Sequence, residues 1–313
     1  MPGGRIARPY FIGAQRVKPD RWLLIVPLTC VVLQGANTVV SKVSASVISP
    51  EAISFYRWVV AIVLLAPVLG RGLWRERALV REHLGRIFVL SFLGMVAYQV
   101  LVYVAAKTST ATSMALIGAL APLLSIGWSV LLLRYRPGPV VLVGCVLSLA
   151  GVVELVQKGD PFSVLSHAPD PSDVYVLIGV LCYALYGVLI RKWQLPISSG
   201  PFFFSQVLCA LIITSAGPVF GNMTPLNEHN VPIVLLAALI GSVAVPFLWM
   251  KSIQSVGPVA TAVFFNLMPL VTAVLAVLLI GEKLELYHGI GAVLIIGGVL
   301  LAQVETLRPA KSS

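Results

Sequence analysis

Polar and aromatic side chains inside long apolar segments are the residues of this sequence that could do chemistry. Gln34, Asn37 and Ser41 are spaced i, i+3 and i+7, so a helix would place them on one face. Tyr183 and Tyr186 share a face for the same reason. Polar side chains are expensive at membrane depth, which makes them candidates for function. The candidate substrate-binding residues are Gln34, Asn37, Tyr98, Gln99, Tyr183, Tyr186, Trp249 and Asn266.

These side chains together could line a cavity that holds amide, hydroxyl and aromatic groups. Amides and hydroxyls can meet the ammonium and carboxylate groups of a zwitterion, and aromatic rings can meet a cation or a bulky apolar side chain. The cavity would therefore suit a zwitterion with a bulky apolar side chain. The alternative for a lone Asn or Gln is a hydrogen bond to a neighbouring helix.

Charged residues at or near the apolar segments form a second group. Arg57 is the one basic residue within a segment, and it could snorkel, form a structural ion pair with Glu51 or Glu154, or bind a substrate carboxylate. Of these the structural ion pair is the favoured expectation. Lys42 and Lys107 are expected at the outer mouth, where they could attract anionic groups.

Two prolines, Pro122 and Pro269, lie in the middle of apolar segments. Each lacks a backbone N–H and can kink its helix. Their role could be shape alone, or they could form a paired hinge that gates a pathway.

Composition requires these residues to be positioned by membrane-spanning helices. The chain of 313 residues is 58% hydrophobic and 11% charged, so it cannot supply the charged shell of a soluble domain. Unbroken apolar runs near the ~20 residues of a spanning helix exclude a membrane barrel, whose strands alternate. Ten such segments, numbered 1 to 10 below, are predicted at 22–42, 51–69, 86–105, 110–133, 139–156, 174–191, 202–220, 232–252, 259–280 and 287–304.

The first segment could instead be a signal peptide, with Ser44-Ala45-Ser46 resembling a cleavage site. Its apolar run exceeds the ~7–15 residues of a signal core, so we interpret it as the first span.

Basic residues predict the orientation. With the N-terminus inside, seventeen Lys and Arg fall on the inner side and four on the outer side. Both termini are therefore expected in the cytoplasm. The net charge of +10 follows from these topology signals and does not indicate nucleic-acid binding.

An internal repeat indicates that the ten predicted segments form two copies of a five-segment unit. An offset of 147 residues pairs five Gly or Pro positions: Gly70 with Gly217, Gly94 with Gly241, Pro122 with Pro269, Gly144 with Gly291, and Gly151 with Gly298. Five segments are an odd number, so the second copy must enter the membrane from the opposite side. Inverted repeats of this kind are typical of secondary transporters. The predicted units are 1–21 (cytoplasmic, basic), 22–156 (first repeat), 157–173 (periplasmic linker), 174–304 (second repeat) and 305–313 (cytoplasmic tail).

The glycines of segments 5 and 10 recur every seven residues on one helix face. Small residues let helix backbones approach closely in lipid. These helices are therefore expected to be structural or dimer-forming rather than cavity-lining.

Several motifs resemble the drug/metabolite transporter superfamily in its ten-helix EamA-type form. They are QGANTVVSK (34–42), PEAISFYRWVVA (50–61), the mid-segment prolines, and LLIGEKLELYHGIGAVLIIGGVLL (278–301). The sequence departs from the family at LLLRYRPG (131–138), where a Glu is common, and at Gln34, where Trp is usual. The resemblance implies an all-α fold of two inverted five-helix repeats. Within the superfamily the chain looks most like bacterial exporters of aromatic and neutral amino acids.

The predicted function is a secondary transporter of the inner membrane that exports amino acids by alternating access. Other drug or metabolite transport, in either direction, is the alternative, and an intramembrane enzyme is the remote one. Phosphate loops, Rossmann fingerprints and metal-ligand spacings are absent from the sequence, so no cofactor, metal or catalytic residue is expected. The expected partners are a small-molecule substrate and the lipid bilayer, with no nucleic acid, and the protein is expected to be monomeric.

Overall fold

The architecture is that of an all-helical membrane protein, seen in a computed structural model. The structure describes residues 25–44, 47–105, 109, 111–160, 162–163, 171–216, 223–271, 274 and 285–307, and no strand occurs among them. The predicted N-terminal unit 1–21, residues 308–313 of the predicted tail, and residues 161 and 164–170 of the predicted linker lie outside the described residues.

The helices follow the predicted segments closely. Their bounds are Ile25–Ser44, Pro50–Arg75, Arg77–Glu82, Leu84–Ser91, Phe92–Ala97, Tyr98–Ala105, Ala111–Gly118, Ala121–Leu133, Pro139–Val156, Asp173–Trp193, Ser199–Thr214, Val231–Leu236, Ala237–Ala244, Val245–Val256, Pro258–Phe265 and Leu286–Leu307. Within the described residues, seven helices are long and apolar enough to cross a membrane, and three shorter apolar helices fall in segments 1, 7 and 9. Seven of the ten predicted segments are thus confirmed as helices of spanning length within the described part of the chain.

Helix ends are set by local sequence. Segment 2 begins after Ser49, whose hydroxyl accepts a hydrogen bond from the N–H of Ala52, with Pro50 at the first position. Proline also begins the helices at Pro139 and Pro258. We call the end of the bundle with Arg75, Arg86, Arg134 and Arg191 the arginine face, and the other end the far face.

Two backbone irregularities occur at matching places in the two repeats. Segment 3 contains a π-helical stretch, Phe92–Ala97, and segment 8 contains another, Ala237–Ala244. The last residues of these stretches are 147 positions apart, which is the offset of the sequence repeat. Because π-helical turns shift the hydrogen-bond register, they are frequent at functional sites.

The regular α-helix of segments 4 and 9 is interrupted by a two-residue turn just before each proline. The helix of segment 4 stops at Gly118 and restarts at Ala121, and that of segment 9 stops at Phe265 and restarts at Met268. Pro122 and Pro269 each occupy the second residue of the restarted helix, where a backbone N–H is not needed. Each proline thus begins a half-helix after a short turn.

The two repeats pack through equivalent pairs of segments. Segment 2 packs on segment 7, and segment 5 packs on segment 10. Segment 1 packs on segment 8, and segment 6 packs on segment 3, so the first helix of each repeat contacts the third helix of the other. This exchange joins the two five-helix repeats into one bundle.

Segments 5 and 10 meet at their glycines. A Cβ on Gly144 would lie 2.5 Å from the backbone N of Ala302 and 2.7 Å from the carbonyl O of Gly298. A Cβ on Gly151 would lie 2.7 Å from the N of Ile295. The glycine faces therefore pack against each other inside one chain, as a structural role for these helices requires.

Equivalent tethers hold segments 2 and 7 at opposite ends. On the far face, Ser49 N donates to Thr224 Oγ1 at 3.0 Å, and Thr224 N donates back to Ser49 Oγ at 3.3 Å. On the arginine face, Ser198 N donates to Glu76 Oε2 at 2.8 Å. Ser49 and Ser198 are 149 residues apart, and each precedes the second helix of its repeat.

Replacing Gly257 with alanine is expected to destabilise the protein. Gly257 joins segments 8 and 9 with φ of 93°, a conformation that costs a non-glycine residue about 1–3 kcal/mol. A Cβ there would contact nothing within 4 Å, so the loss would come from the backbone alone.

Gly85→Ala is the matched control. It also has open space around it but lies in a regular helix, where alanine gains about 0.5–1 kcal/mol. Thermal unfolding in detergent should show opposite shifts for the two variants. Equal shifts would contradict this interpretation.

Candidate functional site

Five aromatic side chains meet between the two repeats. Tyr183 is their centre, and its ring stacks on Tyr98 at 4.9 Å between centroids and on Trp249 at 5.1 Å. Tyr186 lies 5.9 Å from Tyr183, and Phe265 packs edge-on against Trp249 at 4.3 Å. We call Tyr98, Tyr183, Tyr186, Trp249 and Phe265 the central aromatic cluster; it joins segments 3, 6, 8 and 9.

The cluster lies at mid-depth. Tyr183 is the middle residue of the segment 6 helix, Asp173–Trp193. A rise of ~1.5 Å per residue places it about 15 Å from each end, half of the ~30 Å hydrocarbon thickness. Tyr186 and Trp249 are 2% and 4% exposed.

Glycines in the π-helical stretches admit side chains from the other repeat. A Cβ on Gly94 would lie 2.6 Å from two ring atoms of Tyr186, so the Tyr186 ring rests directly on the segment 3 backbone. Gly241 likewise faces the amide of Asn37, whose oxygen would overlap a Cβ. Asn37 and Tyr186 are 149 residues apart, so the two contacts are equivalent in the repeat.

Two buried polar atoms in the cluster lack hydrogen-bond partners among the described residues. They are Tyr186 Oη and Trp249 Nε1. A buried polar group without a partner costs about 1–3 kcal/mol, so such groups are rare and call for an explanation. A polar ligand held against the rings would supply the missing partners.

Asn266 faces a different neighbour from the one expected of a cavity residue. Its Nδ2 donates to Ser148 Oγ of segment 5 at 2.8 Å, while its Oδ1 has no partner among the described residues. The residue follows Phe265 at the break of segment 9 and is 1% exposed. Its amide nitrogen therefore ties the break to segment 5.

The other amide candidates lie outside the aromatic contacts. Asn37 is buried against Gly241, and Gln34 is half-buried one turn earlier on segment 1. Gln99 is half-buried beside Tyr98, and successive helix positions point about 100° apart. The side chains of Ser41 and Lys42, and the whole of Lys107, lie outside the part of the chain that the structure describes.

The buried arginine does not snorkel. Arg57 is 1% exposed, and its guanidinium carbon lies 4.9 Å from the Trp58 ring centroid. Glu51 is exposed at the start of the same helix, and Glu154 is half-buried near the end of segment 5, close to Gly159. Gln206, buried in segment 7, is 149 residues from Arg57 and occupies the matching position of the second repeat.

Sequence reasoning missed some members of the site. Phe265 was not singled out, because a phenylalanine in an apolar segment carries no signal of its own. The sequence repeat pairs Gly94 with Gly241, but no sequence signal indicates that these glycines contact Tyr186 and Asn37. Four of the five cluster residues were among the candidates.

The arrangement can bind a ligand through its ring faces and its polar atoms. Aromatic faces attract cations and apolar bodies, while the Tyr186 hydroxyl and the Trp249 N–H can bond to polar groups. Between two packed repeats at mid-depth, this defines a polytopic membrane transporter.

The chain belongs to the EamA-like transporter family, in the drug/metabolite transporter superfamily. The sequence model of that family matches residues 21–157 and again 171–303. Membership in a transporter family agrees with the expectation that the protein is not an enzyme.

Several proteins are similar to this chain over most of its length. The "uncharacterized transporter YyaM" of Bacillus subtilis is 26% identical over 281 residues, which cover 87% of this chain and 90% of the relative. An "uncharacterized transporter" of Archaeoglobus fulgidus is 26% identical over 285 residues, which cover 89% of this chain and 96% of the relative. Protein PecM of Dickeya dadantii is 27% identical over 70% of this chain and 74% of its own.

A solved crystal structure shares the fold. Its sequence is 17% identical, its TM-score is 0.73, and the match covers 92% of this chain and 99% of the other. The likeness concerns the fold alone.

Proposed function

We propose that this transporter moves small zwitterions, chiefly aromatic and neutral amino acids, and that its central aromatic cluster holds them. The observation that carries the proposal is the pair of buried atoms, Tyr186 Oη and Trp249 Nε1, that lack partners beside four stacked or edge-packed rings. A ligand with a polar backbone and an apolar side chain would satisfy both features.

The cluster favours a zwitterion over a simple organic cation. It contains no carboxylate, so a cation would have only ring faces to balance its charge. An amino acid carries its own counter-charge and needs neutral hydrogen-bonding groups instead. Within segment 1, Gln34 and Asn37 also place amides, rather than an acid, near the interface of the repeats.

Alternating access is the proposed transport mechanism. The π-helical stretches, the broken segments and the glycine contacts all occur twice, at matching positions. Two similar halves can exchange conformations, which would open the site to one face and then to the other. Under this proposal the breaks beside Pro122 and Pro269 act as hinges.

We propose the orientation in the membrane from the basic residues, and a monomer from the presence of both repeats in one chain. We place the arginine face in the cytoplasm of a bacterial cell, with the protein in the inner membrane and both termini inside, because the topology predicted from the sequence assigns seventeen Lys and Arg to the inner side and four to the outer side. Residues 22–156 and 174–304 are the proposed repeats, joined by a periplasmic linker. One chain supplies a whole pathway, so the proposed functional unit is a monomer.

Counterflow in proteoliposomes tests the proposed substrate. Vesicles loaded with unlabelled phenylalanine should accumulate external labelled phenylalanine, and Tyr183→Ala should abolish the exchange because it removes the centre of the cluster. Tyr175→Ala is the matched control, since Tyr175 is exposed on the same helix and should leave the exchange intact. No exchange of any neutral or aromatic amino acid by wild-type protein would overturn the proposal.

The direction of transport needs a test in cells. Overproduction should raise resistance to toxic aromatic amino-acid analogues if the protein exports them. Increased sensitivity would indicate import. Exchange of aromatic amines without amino acids would favour the alternative of a drug exporter.

A further inference from the structure

A second site at the arginine face is separate from the central aromatic cluster. A cavity of about 190 Å³ lies between segments 3, 6, 7 and 8. It is smaller than the ~300–1,000 Å³ of drug-sized pockets, so it fits a small solute or the end of a larger one. Its lining is Leu90, Ile190, Arg191, Trp193, Gln194, Leu195, Phe202 and Gln254, and it includes none of the five cluster residues.

Arg191 is the charged group of this cavity. Its Nη1 donates to the carbonyl O of Gln254 at 3.3 Å, which fixes the side chain against the end of segment 8. Gln254 is held in turn, because its Oε1 accepts from Ser199 Oγ at 3.2 Å. A guanidinium has five N–H donors, so one bond to a carbonyl leaves donors for a carboxylate.

The rest of the lining combines amide and apolar groups. Gln194 and Gln254 supply amides, and Trp193 and Phe202 supply aromatic surface. Gln194 has φ of 37°, in the left-handed region that favours glycine. Gln194 adopts it as the C-cap residue of the segment 6 helix, where its backbone N–H donates to the carbonyl O of Ile190.

A topology signal alone does not explain Arg191. Positively charged residues that only set orientation need to face water or lipid headgroups. The neighbouring Lys192 does so, since it is exposed, whereas Arg191 is partly buried and lines the cavity. Arg191 and Lys192 therefore have different roles.

The repeat places a cation at the matching position of the other face. Lys42 is 149 residues from Arg191, the same offset that relates Asn37 to Tyr186 and Ser49 to Ser198. Each repeat thus has a basic residue two positions before the last residue of its first helix.

We propose that the Arg191 cavity is a binding site for a carboxylate attached to a short apolar body. The guanidinium receives the carboxylate, the two amides bond its polar neighbours, and Trp193 and Phe202 cover the apolar part. The inference rests on the proposed function only for its place in the route, where the cavity is the entry site for solutes from the arginine face.

Tryptophan fluorescence of the purified full-length protein tests the binding. The background is Trp249→Phe, which removes the signal of the central cluster, and Trp193→Phe identifies the share of the response that comes from the cavity. The probes are 3-phenylpropanoate, its neutral amide 3-phenylpropanamide, and inorganic phosphate. We expect a saturable change with the carboxylate alone.

Arg191→Gln should weaken the binding of 3-phenylpropanoate at least tenfold. Arg191→Lys should fall between Arg191→Gln and wild type, because an ammonium keeps the charge but not the planar fork of donors. Lys192→Gln is the matched control and should bind as wild type does. If Arg191→Gln does not fold, the binding of 3-phenylpropanoate by Arg191→Lys tests the same point.

Several results would overturn the proposal. These are equal binding of the amide, equal binding of phosphate, equal loss in Lys192→Gln, or a response that survives in Trp193→Phe. Binding at Arg191 without phenylalanine counterflow would reject the proposed function and keep this site. Counterflow without binding at Arg191 would reject this site and keep the proposed function.

Discussion

Tyr186→Phe is expected to raise the melting temperature of the protein and to lower its transport of phenylalanine. The ring would stay packed on Gly94, since phenylalanine has the same ring. The hydroxyl, which has no hydrogen-bond partner among the described residues, would be removed together with a desolvation cost of about 1–3 kcal/mol.

Under the proposed function, transport should fall because the substrate would be the hydrogen-bond partner of the Tyr186 hydroxyl. Loss of one hydrogen bond to a charged group costs about 1.5–3 kcal/mol, which is roughly a tenfold or greater loss of binding. Trp249→Phe should act in the same direction through the indole N–H. Thermal unfolding and counterflow, measured on the same preparations, give both quantities.

Tyr175→Phe is the control for this experiment. Tyr175 is 44% exposed on the same helix, so its hydroxyl can bond to water and neither quantity should change. A Tyr186→Phe protein that melts lower would show that the hydroxyl has a structural partner. Unchanged transport would remove the hydroxyl from the substrate site.

Gly144→Ala is expected to prevent the accumulation of folded protein. The new methyl carbon would lie 2.5 Å from the backbone N of Ala302 and 2.7 Å from the O of Gly298, and backbone atoms cannot rotate away as a side chain can. Segments 5 and 10 would have to separate, which forfeits the close packing that holds helices together in lipid. We expect a loss above about 4 kcal/mol, in the range of severe core substitutions.

Gly289→Ala provides the comparison on segment 10. A Cβ there meets nothing within 4 Å, so expression and melting temperature should stay at or above the wild-type values. Size-exclusion chromatography and thermal unfolding of both variants measure the effect. A monodisperse Gly144→Ala protein with wild-type stability would contradict the packing described for this pair.

Hydropathy was sufficient to predict the seven described helices of spanning length, because lipid imposes a simple length and composition on a helix. The repeat pairs Gly144–Gly291 and Gly151–Gly298 also predicted close packing, and the structure places these glycines in contact. Whether they faced each other or a second chain could not be decided from one sequence, since both arrangements need the same glycine face.

The irregular backbone could not be predicted. A π-helical stretch such as Phe92–Ala97 differs from an α-helix by its hydrogen-bond register, which leaves no mark on apolar periodicity. The prolines indicated disturbance in segments 4 and 9, but a kink and a break with a restarted helix have the same sequence signal.

Contacts between distant helices determine which of the candidate substrate-binding residues lie against each other. Tyr98, Tyr183, Tyr186 and Trp249 converge because segments 3, 6 and 8 pack together. Asn266 had the same sequence signal as Asn37, yet its Nδ2 bonds to Ser148, and only the packing of segment 9 on its neighbours could reveal that partner.

Photolabelling tests the central claim, that the aromatic cluster holds the substrate, most directly. The reconstituted protein would be irradiated with 4-azidophenylalanine, digested, and analysed by mass spectrometry with and without excess phenylalanine. We predict phenylalanine-protected labels on peptides that contain Tyr98, Tyr183, Tyr186, Trp249 or Phe265. Protected labels found only elsewhere, or labels on these peptides that phenylalanine does not protect, would contradict the claim.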